Sequence, residues 1–371
     1  MPIQVELGKK PGPEKPSDLK KPGVPLSVVL AKARKERGEL IAQKGNAIAP
    51  VNRIPTGIFE FDLATGGGFP CGRYSIIYGP EGATKTNHCF AAIASAQSMP
   101  APNNKAVLID LEGTFDPVWA SLWGVNTEAL IVIKPGYGEE AADLLDAVMR
   151  AEDVVIVVVD SLASLVPAKE IQKSMEEFDV GTASLMIKRM MNKVVVALGD
   201  EYMKGHHPCV VFINQTRYKI GVMFGDPETQ PGGRAMLYWS SLTIRISGKN
   251  KMVKEISTDK PAFKEINLVI KKAKVPVTKY NQEYEVCLIP HGLLKVGKSD
   301  SWGAVSSDLK QLGKLTQVSL GWTLFGKQSK TLSGLQDMYE KDQKFANQCQ
   351  QAVIDSYKAF YVAEEKAQST S

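Results

Sequence analysis

The sequence predicts an α/β protein built on a mainly parallel central sheet flanked by helices, and three observations predict it. Short apolar runs alternate with stretches of helical spacing from Arg73 to Asn214. One run, Val154-Val155-Ile156-Val157-Val158-Val159, is apolar at every position, as expected of a strand with helices packed on both faces of its sheet. A Gly-rich segment, Gly79 to Thr86, separates the first of these runs from the helix that follows it, which is the strand–loop–helix order of a phosphate-binding α/β unit.

In chain order, Arg73–Tyr78 is a strand that ends at Gly79, and a helix runs on through His88 to Gln97. Ala106–Leu111 is a second strand. Asp116–Trp123 is a helix, with Asp116 suited to its N-cap and Pro117 to its first turn. Leu130–Lys134 is a third strand, and Glu139–Ala151 a helix with Ala142, Leu145, Val148 and Met149 on one face. The strand Val154–Asp160 follows, then a long helix over Gly181–Leu198 and a strand over Pro208–Asn214. After Met236 the pattern turns strand-rich, at Ser241–Ser247, Phe263–Lys271 and Tyr284–Ile289, and a helix over Thr331–Tyr361 closes a small C-terminal α/β domain. Ahead of the core, residues 1–25 are rich in Pro, Lys and Gly and read as disordered. Leu26–Gln43 reads as an amphipathic helix with Leu26, Val29, Leu30, Ala33, Leu40 and Ile41 on its stripe. Such a stripe needs a surface, either its own core or a neighbouring subunit, so this is the candidate oligomerisation helix. The expected division is 1–48 leader and helix, 49–292 core, and 293–371 C-terminal domain.

Composition narrows the function classes. The 371 residues, 44% hydrophobic and 23% charged, are those of a soluble globular protein with a core large enough to need no disulfides. The five cysteines are scattered and form no CxxC pair, and the four histidines leave little for a metal centre. The longest apolar run is too short to span a bilayer, and the charged, Pro-rich start is not a secretory signal, so no membrane partner and a cytoplasmic setting are expected. The net charge of +5 lies in the leader: residues 1–48 hold ten Lys/Arg and five Asp/Glu, a difference of +5. That balance suits nucleic acid and a solvated tail equally.

Gly79-Pro80-Glu81-Gly82-Ala83-Thr84-Lys85-Thr86 matches the phosphate-binding loop G-x-x-x-x-G-K-[ST] except at Thr84, where glycine is expected. In such a loop backbone N–H groups cradle phosphates, Lys85 reaches the β/γ-phosphates and the Thr86 hydroxyl ligates Mg²⁺. If the chain needs φ > 0 at Thr84, a β-branched residue there costs about 1–2 kcal/mol. About 75 residues on, the strand Val154–Val159 ends in Asp160, a carboxylate placed to hold the same metal through water. Glu112 lies just beyond the second strand, at the strand ends where ligands bind in open α/β sheets. A carboxylate there orients an attacking water or is simply a loop acid. Trp119 and Trp123 stand at i, i+4, a spacing that favours core packing over stacking on a base.

With these segments in place, the chain resembles the bacterial RecA recombinase family and its phage-encoded relatives, over about Ile54 to Gly292. The entry segment Arg53-Ile54-Pro55-Thr56-Gly57, the lead-in Ile77-Tyr78-Gly79-Pro80-Glu81, and Asp160-Ser161-Leu162-Ala163-Ser164-Leu165-Val166-Pro167 resemble the family's motifs in order. The sharpest piece runs from Phe212-Ile213-Asn214-Gln215-Thr216-Arg217 through Lys219-Ile220-Gly221-Val222-Met223-Phe224-Gly225 to Gly232-Gly233. It resembles the second DNA-binding loop, which hexameric helicases of the same core lack. The resemblance implies a RecA-type ATPase core with ATP and Mg²⁺. It implies Glu112 as the water-activating glutamate, Asp116 and Trp119 as adenine contacts, and Gln215 as the sensor of the γ-phosphate. It implies Lys272 and Lys274 reaching across a subunit interface to the neighbour's ATP, and Arg189 as a DNA-phosphate contact. Loop residues 217–233, with Arg217, Lys219, Ile220, Gly221, Val222, Met223, Phe224, Gly232, Gly233 and Arg234, are the implied DNA site. A first DNA loop falls at about 174–182, where Glu176, Glu177 and Asp179 depart from the family's pattern.

The expected function is therefore ATP-dependent pairing and strand exchange in DNA recombination, repair and the response to DNA damage. It would be carried out by a homo-oligomeric helical filament on single-stranded DNA acting on double-stranded DNA. Single-strand-binding or mediator proteins are possible partners, in the cytoplasm of a bacterium or a phage-infected host. The alternative is a nucleotide-gated DNA-coating filament or mediator in which Thr84 has weakened hydrolysis.

Overall fold

The structure is a computed structural model and describes residues 24–102, 104–171, 181–218, 228–290, 292 and 294–368. The chain divides into two compact units, one ending at Pro50 and one beginning at Val51. In the first, α1 (Leu26–Arg37) starts where the amphipathic pattern starts but stops short of the expected Gln43. Gly38 ends it: at φ 87 it takes a conformation closed to other residues, and its N–H bonds back to the carbonyl of Arg34. The Arg34 side chain holds the reversed segment by donating to the carbonyl of Ala42 at 2.8 Å.

The second unit opens with β1 (Arg53–Ile54), α2 (Phe59–Thr65) and β2 (Phe69–Pro70), β1 and β2 forming an antiparallel pair. The expected strand–helix alternation follows: β3 (Arg73–Gly79), α3 (Lys85–Gln97), β4 (Lys105–Asp110), α4 (Pro117–Leu122), β5 (Leu130–Ile133), α5 (Gly138–Met149) and β6 (Val154–Asp160). The short α6 (Ala168–Ile171) and the long α7 (Thr182–Met203) lead to β7 (Cys209–Gln215). A small hairpin of β8 (Arg217–Tyr218) and β9 (Glu228–Thr229) precedes α8 (Gly233–Trp239), and then come β10 (Leu242–Lys251), β11 (Phe263–Ala273) and β12 (Asn281–Cys287). The main sheet has eight strands in the order β12-β11-β10-β3-β7-β6-β4-β5. From β10 to β5 every neighbouring pair is parallel, and β11 and β12 are appended antiparallel. The fold is thus α/β, with a mostly parallel sheet between helices.

Both faces of the sheet are covered. Ile77, Ile156, Val158, Val211 and Ile213 point into one core with Phe90 and Ile93 of α3. Their neighbours Ile76, Val157, Val159, Val210 and Phe212 point into the other, with Leu145 and Met149 of α5 and Met190 and Val194 of α7. This strict alternation of two apolar faces is why β6 could be read from its sequence. Tyr74 packs on Phe212 edge to face, centroids 5.5 Å apart, and its hydroxyl donates to the carbonyl of Met236 at 2.7 Å.

Beyond the sheet lie α9 (Trp302–Gln311), the three-stranded β13 (Thr316–Val318), β14 (Gly321–Leu324) and β15 (Lys327–Ser329), then α10 (Leu332–Lys341) and α11 (Gln343–Gln368). They share a core of Trp302, Val305, Leu309, Leu324, Leu335 and Val353 that takes in Phe59 and Leu63 of α2. The single helix expected over Thr331–Tyr361 is two helices. Asp342 interrupts it by accepting from the N–H of Phe345 at 3.0 Å, an N-cap for α11. Among the described residues no helix is long and apolar enough to cross a membrane.

Candidate active site

The phosphate loop lies at the carboxyl end of β3. Gly79 must be glycine, because a Cβ there would lie 1.8 Å from the carbonyl oxygen of Ile246. The turn of Pro80, Glu81, Gly82 and Ala83 leads to Thr84, which adopts φ 65, ψ 21, the left-handed conformation that the loop's usual glycine supplies freely. Its hydroxyl donates to the carbonyl of Ala83 at 2.5 Å. Lys85 opens α3 and is buried, its Nζ donating to the carbonyls of Gly79 at 3.0 Å and Pro80 at 2.7 Å. Burial pulls the Lys85 pKa down, against the raising effect of Asp160, Glu112 and Glu81. Replacing Thr84 by glycine removes about 1–2 kcal/mol of left-handed strain and gives back part of it as chain entropy. Thr84→Gly is expected to raise stability by about 0.5–1 kcal/mol, read from chemical unfolding; a loss of stability would contradict the strain.

Three further groups meet the loop from the ends of neighbouring strands. At the end of β6, Asp160 accepts from the Thr86 hydroxyl at 2.7 Å. Its carboxyl is pushed up to about 6, first by burial, with the negative charges of Glu112 and Asp110 adding and the Thr86 hydroxyl and Lys85 opposing. A hydroxyl and a carboxylate oxygen side by side beside a phosphate loop form a hard donor set, and they fit Mg²⁺. Beyond β4, one carboxylate oxygen of Glu112 accepts from the Ser161 hydroxyl and, at 3.2 Å, from the side-chain amide of Gln215. Asp110 shapes the loop that carries Glu112, accepting from the N–H groups of Gly113 at 2.8 Å, Thr114 at 3.3 Å and Phe115 at 3.1 Å. Lys134 approaches the same carboxylate at 3.7 Å.

Asp116 is the N-cap of α4, accepting from the N–H groups of Val118 at 2.7 Å and Trp119 at 3.0 Å. The Trp119 indole is half-buried and donates to the side-chain oxygen of Asn87 on α3 at 3.0 Å, so it is fixed beside the phosphate-loop helix. Trp123 is buried and meets Trp119 edge to face. The core packing expected from the spacing thus holds for Trp123.

Gln215 is the last residue of β7, and one residue later β8 begins the base of the long loop. Arg217 and Tyr218 pair with Thr229 and Glu228 of β9. Asn214, fully buried, donates to the carbonyl of Pro231 at 3.1 Å and accepts from the N–H of Gln215 at 3.0 Å, fastening the loop's second leg to β7. Arg245 fixes β9 from β10, its Nε donating to Glu228 at 2.8 Å. Lys219, Ile220, Gly221, Val222, Met223 and Phe224 lie outside the described residues, as do residues 174–180 of the first loop. Gly232 (φ 90) and Gly233 (φ 67) form the entry to α8. A Cβ on Gly232 would overlap the Met236 sulfur at 2.2 Å. Arg189 is exposed on α7.

Lys272 and Lys274 do not join the cluster around Lys85. Lys272 donates to the carbonyls of Leu237 and, at 2.9 Å, of Tyr238, and Lys274 donates to Tyr238 at 2.7 Å. Two ammonium groups thus cap the carboxyl end of α8, where the helix dipole favours cations. The structure brings together Lys85, Thr86, Asp160, Glu112 and Gln215. Sequence reasoning missed Ser161, Asn214 and Arg245 as supports of this cluster and of the loop base. It also gave no role to Asp110, whose turn three residues ahead of Gly113 is a local Asx pattern that could have been read. The others have no local signal.

A family model described as the RecA N-terminal domain matches residues 26–288, which takes in α1 as well as the core expected from Ile54. Protein RecA of Oceanobacillus iheyensis is 34% identical over 297 residues, 76% of this chain and 83% of that protein. Protein RecA of Saccharopolyspora erythraea is 37% identical, over 60% of this chain and 63% of its own length. Protein RecA of Nocardia farcinica is 38% identical, over 60% and 62%. The parallel sheet, the phosphate loop, the acids at the next strand ends and these matches lead to one conclusion: the chain belongs to the RecA family.

Proposed function

We propose that the chain is an ATP-dependent homologous DNA recombinase that forms a helical filament on single-stranded DNA and exchanges strands with a homologous duplex. The observation that carries this reading is Gln215. Its amide touches Glu112 in the nucleotide cluster, and its backbone continues within two residues into the base of the Arg217–Gly233 loop. One residue therefore belongs to both the site and the loop.

The loop from Gly79 to Thr86 holds the phosphates of ATP on its N–H groups and on Lys85, and Asp116 and Trp119 bound the adenine. Thr86 and Asp160 would hold Mg²⁺, which when bound would supply positive charge against the phosphate oxygens. Glu112 orients the attacking water and accepts its proton, with Ser161 and Gln215 fixing the carboxylate. Lys272 and Lys274 of a neighbouring protomer complete the charge on the γ-phosphate, so turnover depends on assembly. Arg189, Arg217, Lys219 and Arg234 hold the DNA backbone, and Ile220, Gly221, Val222, Met223 and Phe224 enter between nucleotides or against the next subunit. Homology is then read by base pairing. The 1–48, 49–292 and 293–371 division gives the leader helix to assembly, the middle to catalysis and DNA. Such a filament works in the cytoplasm, alongside single-strand-binding or mediator proteins.

Strand exchange between circular single-stranded and linear homologous duplex DNA, with ATP and Mg²⁺, tests the reading. Joint molecules are expected. DNA coating without joint molecules would favour the second reading, a nucleotide-gated DNA-coating filament with weak hydrolysis, to which Thr84 at φ 65 lends support. Gln215→Ala is expected to lose about tenfold of any stimulation by single-stranded DNA, roughly the 1–3 kcal/mol of a coupling free energy. Undiminished stimulation would remove Gln215 from the coupling.

A further inference from the structure

We propose that His88 and Tyr284 are positioning residues of the phosphate loop, which hold Thr84 in its left-handed conformation and so stand in for the missing glycine. The inference rests on the nucleotide-site reading above and adds to it two residues that the loop motif does not contain.

The geometry is a chain of two hydrogen bonds. His88 Nδ1 lies 2.8 Å from the carbonyl oxygen of Thr84, and His88 Nε2 lies 2.7 Å from the Tyr284 hydroxyl. A carbonyl oxygen can only accept, so Nδ1 carries the proton and donates. Nε2 is then the bare nitrogen, and the Tyr284 hydroxyl donates to it. The chain runs from β12 through the interior to the peptide between Thr84 and Lys85. The same carbonyl also accepts the backbone N–H of His88 at 3.1 Å, the ordinary helical bond. The imidazole adds a second donor, from a side chain that cannot move away. His88 is fully buried and ringed by Phe61 at 5.3 Å, Tyr284 at 6.0 Å and Trp123 at 6.5 Å between centroids.

A non-glycine residue stays left-handed only where its surroundings over-determine it. Rotating the Thr84–Lys85 peptide back towards an ordinary conformation would swing the carbonyl off both donors and leave a buried imidazole N–H unpaired. It would also turn the Lys85 N–H, the first donor of α3, away from the phosphate position. Any buried imidazole needs partners for its ring nitrogens. This one has a partner on each, and one of them is the strained residue itself.

The test is a double-mutant cycle across Thr84 and His88, with Tyr284→Phe as the milder variant that removes only one hydroxyl. Equilibrium binding of a fluorescent ATP analogue with Mg²⁺ and the denaturation midpoint are both measured. His88→Leu is expected to weaken binding about tenfold, the factor that corresponds to about 1.4 kcal/mol, and Tyr284→Phe about threefold to tenfold. With Thr84→Gly already in the chain, both losses should shrink to within about twofold, because glycine needs no brace. Equal losses in both backgrounds, or none in either, would overturn the proposal. Should His88→Leu not fold, Tyr284→Phe carries the cycle alone. Should the unaltered chain bind no nucleotide, the nucleotide-site reading fails, and the denaturation cycle still decides the brace. A smaller midpoint loss in the Thr84→Gly chain supports it, and equal losses overturn it.

Discussion

Glu112→Gln is expected to lower ATP turnover by about two to three orders of magnitude while leaving ATP and DNA binding within about twofold. The substitution keeps the size and one oxygen of the side chain. That oxygen can still accept from Ser161 and Gln215, so the link from the nucleotide cluster to the loop base survives. What is lost is the negative charge and the ability to take a proton from water. A positioned general base contributes about 10²–10⁴-fold. A chain that still assembles on DNA with ATP but no longer turns it over would separate binding from hydrolysis. Steady-state turnover beside filter-binding of DNA reads both. Turnover unchanged within threefold would mean that another group activates water, and the carboxylate beside Ser161 would then be structural.

Lys85→Ala is expected to weaken ATP binding by about two orders of magnitude and to abolish ATP-dependent strand exchange. Lys85 is the only lysine or arginine of the loop, and it is buried with three carboxylates, Asp160, Glu112 and Glu81, acting on it. Losing the cation that a bound phosphate would pair with costs about 2–5 kcal/mol of binding, and about 2.7 kcal/mol is a hundredfold. Fold stability should change little, because alanine is a good helix former at this first position of α3 and the ammonium's own burial is unfavourable. Calorimetric titration with ATP and Mg²⁺ beside an unfolding curve distinguishes loss of the ligand contact from loss of the fold. Preserved ATP affinity with a well-folded chain would place the phosphates elsewhere.

The sheet was legible because strands buried on both faces carry no polar alternation to confuse them: β6 is apolar from Val154 to Val159 and ends in Asp160. The cluster was legible for the same reason. Its members sit at strand ends that the apolar runs themselves mark: Gly79 after β3, Glu112 after β4, Asp160 at the end of β6 and Gln215 at the end of β7. Local capping explains what was misjudged near the termini. Gly38 stops α1, and Asp342 restarts the chain as α11, each through one or two backbone bonds that a periodicity reading passes over.

α8 was illegible for a different reason. Its sequence, Gly-Arg-Ala-Met-Leu-Tyr-Trp, is short and rich in bulky residues, and Gly232 offers no side-chain cap. The helix is held instead from a distance, by Lys272 and Lys274 on its last carbonyls and by a tight fit of Gly232 against Met236. Thr84 is similar. Its departure from the motif is visible in eight letters, but the ring that braces it hangs on Tyr284, 196 residues from His88 along the chain. Long-range supports of this kind leave no local pattern.

ATP hydrolysis with and without single-stranded DNA, at fixed Mg²⁺ and fixed salt, tests most directly the claim that the nucleotide cluster and the Arg217–Gly233 loop are one machine joined at Gln215. Stimulation by DNA of about tenfold or more is the expected result, consistent with a coupling free energy of about 1–3 kcal/mol. Hydrolysis at the same rate on bare protein and on protein shown to be bound to DNA would contradict it.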